Sequence, residues 1–384
     1  MRKHFQYLLF GLIVCSSIYA QSQQPQPKLA EIHTHYDAAK SFEREGNWAA
    51  AEREWRLIIA AAPEDARAWI NLGVVLNRQN KSAEAMAAWI KATTLDPKLA
   101  GAHFNYGLAL VRHNKYQEAI SPLRRALSLE PLNDEARRTL VVALVGCEQF
   151  REASRELAQL LARAPRDQQL LELAAQCFMR QHRFNEATIV LKRRLQLGNE
   201  TSRLWAQYGD AFDGSARTPE AVEAYKRAVQ LDPDDTITRY GLGYLYWKQY
   251  RYDEAERELT EVLRRDSTDA RAAFTLGDLY LTKGDAKRAL PFLETAMHEY
   301  PAEFDTRFAL GRALVLTGDL KRGMEELRAA VQINPTISDG HFQLGRALMR
   351  IGEPDEARAE LDRAKDLNNA KRASEALPLK QRPK

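Results

Sequence analysis

Cysteine is scarce in this 384-residue chain, which contains only Cys15, Cys147 and Cys177. So few cysteines exclude a small fold held together by disulfide bonds. Long apolar runs are missing as well, because no stretch after the first twenty residues approaches the roughly 18 apolar residues of a transmembrane helix. We therefore expect no membrane span in the mature chain. Hydrophobic residues nevertheless make up 45% of the chain and charged residues 28%, which is typical of a globular protein with a continuous core.

A large excess of charge of one sign is also absent. The formal net charge is +4, and Arg2 and Lys3 contribute two of these charges from the N-terminus. Further basic residues are concentrated near the C-terminus, at Lys371, Arg372, Lys380, Arg382 and Lys384. A chain without a broad basic field is not expected to bind nucleic acid.

Motifs that carry catalysis or bind a cofactor are missing too. No nucleophile elbow, phosphate-binding loop or metal-ligand spacing is found in the sequence. Gly241-Leu242-Gly243 is only a two-glycine fragment inside a helical pattern. His33 and His35 are two residues apart, which places them on different faces of a helix. We therefore predict that the chain is not an enzyme and has no cofactor and no metal site.

The first twenty residues differ in kind from the rest. A basic start at residues 2–4 precedes a largely apolar run at residues 5–14, and small residues follow. This pattern predicts a signal peptide at residues 1–20 that is cleaved after residue 20, and hence a periplasmic or secreted protein. A lipid anchor at Cys15 and an uncleaved N-terminal anchor are the alternatives.

A single period of 34 residues runs through most of the remaining chain. The units start at Ile32, Ala66, Ala100, Asp134, Gln168, Ser202, Thr236, Ala270, Phe304 and Ser338. The twentieth residue is small in every unit: Ala51, Ala85, Ala119, Ala153, Ala187, Ala221, Ala255, Ala289, Gly323 and Ala357. The eighth residue is glycine or alanine in every unit except the fourth, where it is Val141. Such regularity indicates one structural unit repeated ten times.

The small residues indicate where two helices of a unit cross closely. Glycine within a helix costs about 1 kcal/mol relative to alanine, so recurrent glycines at the eighth position require a packing reason. Large residues at the eleventh and twenty-fourth positions are expected to fill the layer between hairpins. Proline ends the second helix at the thirty-second position in seven units: Pro63, Pro97, Pro131, Pro165, Pro233, Pro301 and Pro335. His103 and His341 share the fourth position, where we expect core or rim packing.

The pattern resembles the tetratricopeptide repeat family. The second unit carries it as Trp69, Leu72, Gly73, Leu76, Ala85, Trp89, Ala92 and Pro97. The resemblance implies an all-α fold, a right-handed superhelical solenoid of antiparallel helix hairpins. We predict ten repeats forming one solenoid domain at residues 32–371, after a linker at residues 21–31 and before a basic tail at residues 372–384.

Repeat five departs most from the pattern. Arg194 stands at a position that is usually small or apolar, and Asn199 stands where proline is expected. We predict that this repeat contains the weakest interface and is a candidate flexing point. Cys147 and Cys177 fall on the first helices of adjacent hairpins but differ by one turn. Separate buried thiols are therefore favoured, with a disulfide as the alternative.

The resemblance implies that partners bind in the concave groove, which is lined by the first helix of each repeat. In the last four repeats the fifth position is aromatic throughout, and charged or aromatic residues stand beside it at the ninth and twelfth positions. The predicted partner-binding residues are Tyr240, Tyr244, Trp247, Phe274, Asp278, Phe308, Arg312, Phe342 and Arg346. Exposed aromatic rings beside arginine are typical of binding hot spots. The alternative is that the rings only pack against the neighbouring first helix.

A secondary candidate groove lies in repeats two and three. Asn71 and Asn105 occupy the sixth position, and Arg78 and Arg112 occupy the thirteenth. Amides and guanidinium groups stacked at this spacing could hold a peptide backbone and its carboxylates. Chaperone-binding members of the family use an asparagine at the ninth position, where this chain has an apolar residue in both repeats.

These observations favour a protein- or peptide-binding scaffold of the cell envelope. The alternative is a self-associating assembly element that uses the solenoid ends or the convex face, because few residues follow Leu367 to cap the last hairpin. An accessory or regulatory subunit of an enzyme is a third interpretation. Oligomeric state and the identity of the partner are left open.

Overall fold

The structure is a computed structural model that describes residues 27–376. This part of the chain contains twenty helices and no strand. The helices are α1 (Pro27–Arg44), α2 (Trp48–Ala61), α3 (Ala66–Arg78), α4 (Ser82–Leu95), α5 (Ala100–Arg112), α6 (Tyr116–Leu129), α7 (Asp134–Gly146), α8 (Phe150–Arg163), α9 (Gln168–Arg180), α10 (Phe184–Leu195), α11 (Ser202–Gly214), α12 (Thr218–Leu231), α13 (Thr236–Lys248), α14 (Tyr252–Arg265), α15 (Ala270–Thr282), α16 (Ala286–Glu299), α17 (Phe304–Thr317), α18 (Leu320–Ile333), α19 (Ser338–Ile351) and α20 (Pro354–Ala376). None of these helices is long and apolar enough to cross a lipid bilayer.

The helices follow the register predicted from the 34-residue period. From the second repeat to the tenth, the first helix begins at the predicted first residue of the unit. In every repeat except the fifth, the two helices pack together as an antiparallel hairpin, and the second helix of each repeat also packs against the first helix of the next. The prediction of an all-α solenoid of hairpins is therefore confirmed.

The chain divides into two compact units, Met1–Arg183 and Phe184–Lys384. The described helices of the first unit are α1 to α9, and those of the second are α10 to α20. The division falls inside repeat five, the repeat with the largest departures in sequence. That this repeat is a flexing point stays a prediction.

Helix boundaries differ from the predicted layout at both ends. Helix α1 begins at Pro27, within the segment predicted as a linker, and α20 continues to Ala376, within the predicted tail. The last helix therefore extends beyond Leu367 with a strongly polar sequence. That the end of the last hairpin is poorly capped stays a prediction. The predicted signal peptide at residues 1–20 lies outside the described residues.

A left-handed residue at the fifteenth position turns each first helix into the second. The φ angle there is 61° at Asn80 and 101° at Gly318, a conformation that asparagine and glycine adopt readily at helix ends. The same conformation is imposed on residues that do not favour it: Glu148, His182, Ala216 and Tyr250. The turn geometry therefore outweighs the local preference of these residues.

Gly73 shows why the eighth position must be small. A Cβ atom built on Gly73 would lie 2.4 Å from Nε1 of Trp89, at the twenty-fourth position of the same repeat. The Trp89 indole fills this space and donates a hydrogen bond to the Ile70 carbonyl over 3.1 Å. The same eighth-to-twenty-fourth contact recurs in other hairpins, as Gly107 with Leu123, Gly209 with Tyr225, Gly277 with Leu293 and Gly345 with Leu361. The predicted close crossing is confirmed.

The fourth position has a polar role that the sequence analysis missed. His341 contacts the Pro335 carbonyl through Nε2 at 3.0 Å and the Glu360 carboxylate through Nδ1 at 2.5 Å. The same carbonyl contact, to the residue six positions earlier, is made by Trp69, His103, Arg137, Arg239 and Arg307. The expected packing role of His103 and His341 was therefore incomplete, because each also ties its helix to the preceding turn.

The two described cysteines are separate thiols. Cys177 is buried, and burial raises the pKa of its thiol to about 11. Cys147 is half-buried. The favoured prediction of two separate thiols is confirmed, although only Cys177 is fully buried.

Glu52 on α2 links the first two hairpins. Its carboxylate accepts hydrogen bonds from Lys81 at 2.7 Å, Gln79 at 2.8 Å and Arg56 at 2.9 Å. Burial alone would raise the pKa of this carboxyl, but the hydrogen bonds outweigh burial and lower the pKa from 4.5 to about 2. The ionised form is therefore stabilised by the fold.

Substituting Glu52→Gln is expected to reduce the acid sensitivity of the protein. The pKa is lowered on folding, so the contribution of Glu52 is present above about pH 4.5 and is lost as the pH falls towards 2. Near neutral pH the variant should be less stable by about 2 kcal/mol, and this difference should shrink on acidification. Urea denaturation at several pH values measures it. Glu84→Gln, at an exposed site paired with the same arginine, is the control, and an equal response of both variants would contradict the assignment.

Candidate functional site

The first helices of the last four repeats present a common surface in the second unit. We call it the C-terminal face and define it by the fifth, ninth, twelfth and thirteenth residues of α13, α15, α17 and α19. Aromatic residues at the fifth position recur along it as Tyr240, Phe274, Phe308 and Phe342. Since the four helices begin in the same register, these rings occupy the same turn of each helix.

Helix α13 carries three aromatic side chains on one face. Tyr240, Tyr244 and Trp247 are spaced four and three residues apart, so they lie on successive turns. The ring centroids of Tyr240 and Tyr244 are 6.1 Å apart. Tyr244 stacks on Trp247 with centroids 5.5 Å apart and planes inclined by 28°. The three rings therefore form a ladder along the helix.

Burial separates the predicted aromatic residues into two groups. Tyr240, Trp247 and Phe274 pack against the main hydrophobic core of the second unit, and Phe308 packs against a smaller one. Burial also raises the pKa of Tyr240. Tyr244 and Phe342 are exposed, with 37% and 44% of their surface accessible. Packing against the core accounts for four of these six rings, and Tyr244 and Phe342 are the two that remain exposed. That they bind a partner stays a prediction.

Charged groups lie against the rings, as the ninth-position residues predict. The guanidinium group of Arg312 lies 5.5 Å from the Phe308 centroid, and that of Arg346 lies 5.8 Å from the Phe342 centroid. Asp278 accepts a hydrogen bond from the Trp247 indole over 3.2 Å. Burial raises the pKa of the Asp278 carboxyl, an effect opposed by this hydrogen bond and by Arg312.

Two apolar residues on the C-terminal face were missed by the sequence analysis. Leu316 on α17 and Met349 on α19 expose 58% and 55% of their surface. They occupy the thirteenth and twelfth positions of their repeats, the same positions as Arg78 and Trp247 among the predicted groove residues. Together with Phe342 they expose apolar surface on the last two first helices of this face.

A cavity of about 350 Å³ lies in the first unit. We call it the N-terminal pocket, and it is lined by Val74, Asn77, Arg78, Trp89, Phe104, Asn105, Leu108, Ala109, Arg112 and Glu135. Three of the four residues of the secondary candidate groove therefore meet here. Asn71 is not among the lining residues, and its carboxamide oxygen accepts a hydrogen bond from Lys40 over 3.3 Å.

Metal ligation is not supported by the described part of the chain, which contains no group of three His, Cys, Asp or Glu side chains able to hold an ion. His35, one of the two nearby histidines, instead contacts Glu54 at 2.6 Å through Nδ1.

Family models described as tetratricopeptide repeat match residues 36–100, 110–177, 214–279, 280–336 and 339–363. No curated protein sequence matches the chain. Among solved structures, that of Naa15/Naa10 bound to HypK-THB is 17% identical, covering 90% of this chain and 65% of that chain, with a TM-score of 0.50. MamA 41-end from Desulfovibrio magneticus RS-1 is 22% identical over 44% of this chain and 96% of its own, with a TM-score of 0.41. The C-terminal part of a TPR repeat-containing protein from Cytophaga hutchinsonii is 15% identical over 62% and 98%, with a TM-score of 0.49. At these identities the similarity concerns the fold alone.

Proposed function

Because the chain belongs to the tetratricopeptide repeat family, we propose that it is a non-enzymatic scaffold that binds a polypeptide on the C-terminal face. The observation that carries this proposal is the exposure of Tyr244, Leu316, Phe342 and Met349 on one face. Repeat arrays use such surfaces to bind partners, and clustered exposed apolar residues mark interaction sites.

The construction of the face favours binding of a polypeptide. Tyr244 and Phe342 are exposed beside aromatic rings that pack against the core. Aromatic side chains have few rotatable bonds, so Tyr244 and Phe342 lose little side-chain entropy when a partner covers them. Arg312 and Arg346 lie beside the rings and can pair with carboxylates of the partner. Interaction hot spots typically consist of apolar anchor residues surrounded by charged residues.

The N-terminal pocket provides a second contact of suitable size. A cavity of about 350 Å³ is at the small end of ligand pockets and suits one or two side chains. Arg78 and Arg112 at its edge form no ion pair with any described residue, so their guanidinium groups can accept a carboxylate of the partner. Asn77 and Asn105 supply amide groups for a peptide backbone.

The proposal includes export to the periplasm or the cell exterior. The N-terminal pattern of residues 1–20 supports it, and cleavage after residue 20 can be checked by mass spectrometry of the mature protein.

Substitution of both Phe342→Ala and Met349→Ala is expected to weaken partner binding by at least about tenfold without a change in thermal stability, because both side chains are exposed anchors. The partner is first captured from an envelope extract with the wild-type protein and identified, and its affinity is then measured by calorimetry. Tyr240, Trp247 and Phe274 are less suitable for this test, because they pack against the core.

Ile333→Ala is the matched control, because Ile333 is an exposed apolar residue on the second helix α18. Equal affinity of the double variant and the wild type would contradict the proposal. Sedimentation of the wild-type protein tests the alternative of self-association, since a stable oligomer that the double variant dissociates would assign this face to assembly.

A further inference from the structure

We propose that Tyr244, Trp247 and Asp278 form a subsite for a cationic side chain of the partner, an arginine guanidinium group. This inference rests on the proposed function, because it specifies the chemistry of the polypeptide that the C-terminal face binds. It assigns to the partner a basic residue that stacks on an aromatic ring and pairs with a carboxylate.

The rings and the carboxylate are held in one place. Tyr244 is exposed and stacks on Trp247, and the Trp247 indole donates to Asp278 over 3.2 Å. A guanidinium group on the exposed Tyr244 ring would therefore have a carboxylate nearby on the neighbouring first helix. Guanidinium groups stack on aromatic rings and bond carboxylates through two nitrogen atoms.

Three of the four fifth-position aromatic residues already have a guanidinium partner within the chain, and the fourth, Phe274, packs against the core. Arg271 lies 4.8 Å from the Tyr240 centroid, and Arg312 and Arg346 lie over Phe308 and Phe342. Among the described residues, no arginine or lysine lies over Tyr244 or Trp247. The ring of Tyr244 is therefore available to stack with a guanidinium group of the partner.

The local charge favours a cation. Tyr244 stands at the ninth position of its repeat, and the ninth residues of the two neighbouring first helices are Asp210 and Asp278. Lys248 is paired with Asp213 at 2.9 Å. Asp278 forms no ion pair within the described part of the chain, and two carboxylate oxygen atoms can accept more than the single indole hydrogen bond.

The positive charge of Arg312 favours the ionised form of the Asp278 carboxyl, and the negative charge of Asp305 disfavours it. The guanidinium group of Arg312 lies over Phe308 and forms no ion pair with Asp278 within the described residues. Burial raises the pKa of Asp278, as expected for a carboxylate with no cation bound to it.

The test uses N-acetyl-L-argininamide as the probe and the indole N–H resonance of Trp247 as the readout, assigned in the full chain with Trp247→Phe. We expect a saturable shift with the argininamide and a weaker response with the lysine analogue. The neutral citrulline analogue should bind at least about fivefold more weakly. Asp278→Asn and Tyr244→Leu should each reduce the argininamide affinity by a similar factor, whereas Asp362→Asn, at an exposed site on α20, should not.

The subsite would be disproved by equal responses to the arginine and citrulline probes, by an argininamide response that survives Asp278→Asn, or by no saturable shift. Each of these results leaves the proposed function standing if Phe342→Ala with Met349→Ala still weakens binding of the captured partner. Failure of the proposed function would appear instead as equal partner affinity of the double variant and the wild type, a measurement that does not depend on the probe.

Discussion

Replacing Gly73 with alanine is expected to lower the free energy of unfolding by about 2 kcal/mol. The added Cβ would lie 2.4 Å from Nε1 and 2.7 Å from Cδ1 and Cε2 of Trp89. The ring is buried and donates to the Ile70 carbonyl, so it can move only by losing that hydrogen bond. The cost exceeds the gain of up to about 1 kcal/mol that alanine brings to a helix.

Gly101→Ala is the matched control for this prediction. Gly101 also lies in a first helix, but no atom is found within 4 Å of the Cβ that would be added there. Only the helix propensity acts at this site, so the substitution should stabilise the protein by about 0.5 kcal/mol. Urea denaturation followed by circular dichroism measures both variants. Changes of the same sign at Gly73 and Gly101 would show that close crossing is not what selects glycine.

Substituting Glu156→Ala is expected to lower the free energy of unfolding by about 3 kcal/mol. Glu156 on α8 pairs with Arg137 on α7, whose side chain is only 7% exposed. Arg137 also donates to the Pro131 carbonyl over 2.7 Å. Without the glutamate, the buried guanidinium group keeps this carbonyl but loses its counter-charge, and an uncompensated buried charge is strongly destabilising.

Glu152→Ala provides the comparison on the same helix. Glu152 is paired with Arg124, but the two side chains are 46% and 51% exposed, so solvent screens the interaction and the loss should stay below about 0.5 kcal/mol. Joint substitution of Arg137→Met and Glu156→Leu should recover most of the stability, because it removes the buried guanidinium charge together with its counter-charge. Thermal and urea denaturation check all three variants. Similar losses at Glu152 and Glu156 would contradict the role assigned to burial.

The Arg137–Glu156 pair is one of several ion pairs that recur at equivalent positions of the repeats. The fourth and twenty-third residues of a repeat also pair as His35 with Glu54, Arg239 with Glu258, Arg307 with Glu326 and His341 with Glu360. Where the fourth residue is arginine or histidine, glutamate follows nineteen residues later in every repeat except that of His103. This regular spacing in the sequence could have predicted the ion pair between the fourth and twenty-third residues.

The secondary candidate groove shows which neighbouring residues a sequence pattern can predict and which it cannot. Equivalent repeat positions predicted that Arg78, Arg112 and Asn105 lie near each other, and all three line the N-terminal pocket. The pattern did not predict that Asn71 would bond Lys40 from the preceding repeat. Nor did it identify Asn77 or Glu135, whose place in the lining depends on how three first helices pack.

The sequence by itself determined the helices, their register and the close crossing within each hairpin. It could do so because these depend on residues within one repeat, where glycine, alanine and proline recur at set offsets. Only the tertiary structure decided which side chains are exposed. Tyr244 and Trp247 lie three residues apart on one helix, yet Trp247 is held by Asp278 from the next repeat, whereas Tyr244 is left exposed. That difference depends on contacts between repeats, which a pattern identical in every repeat does not contain.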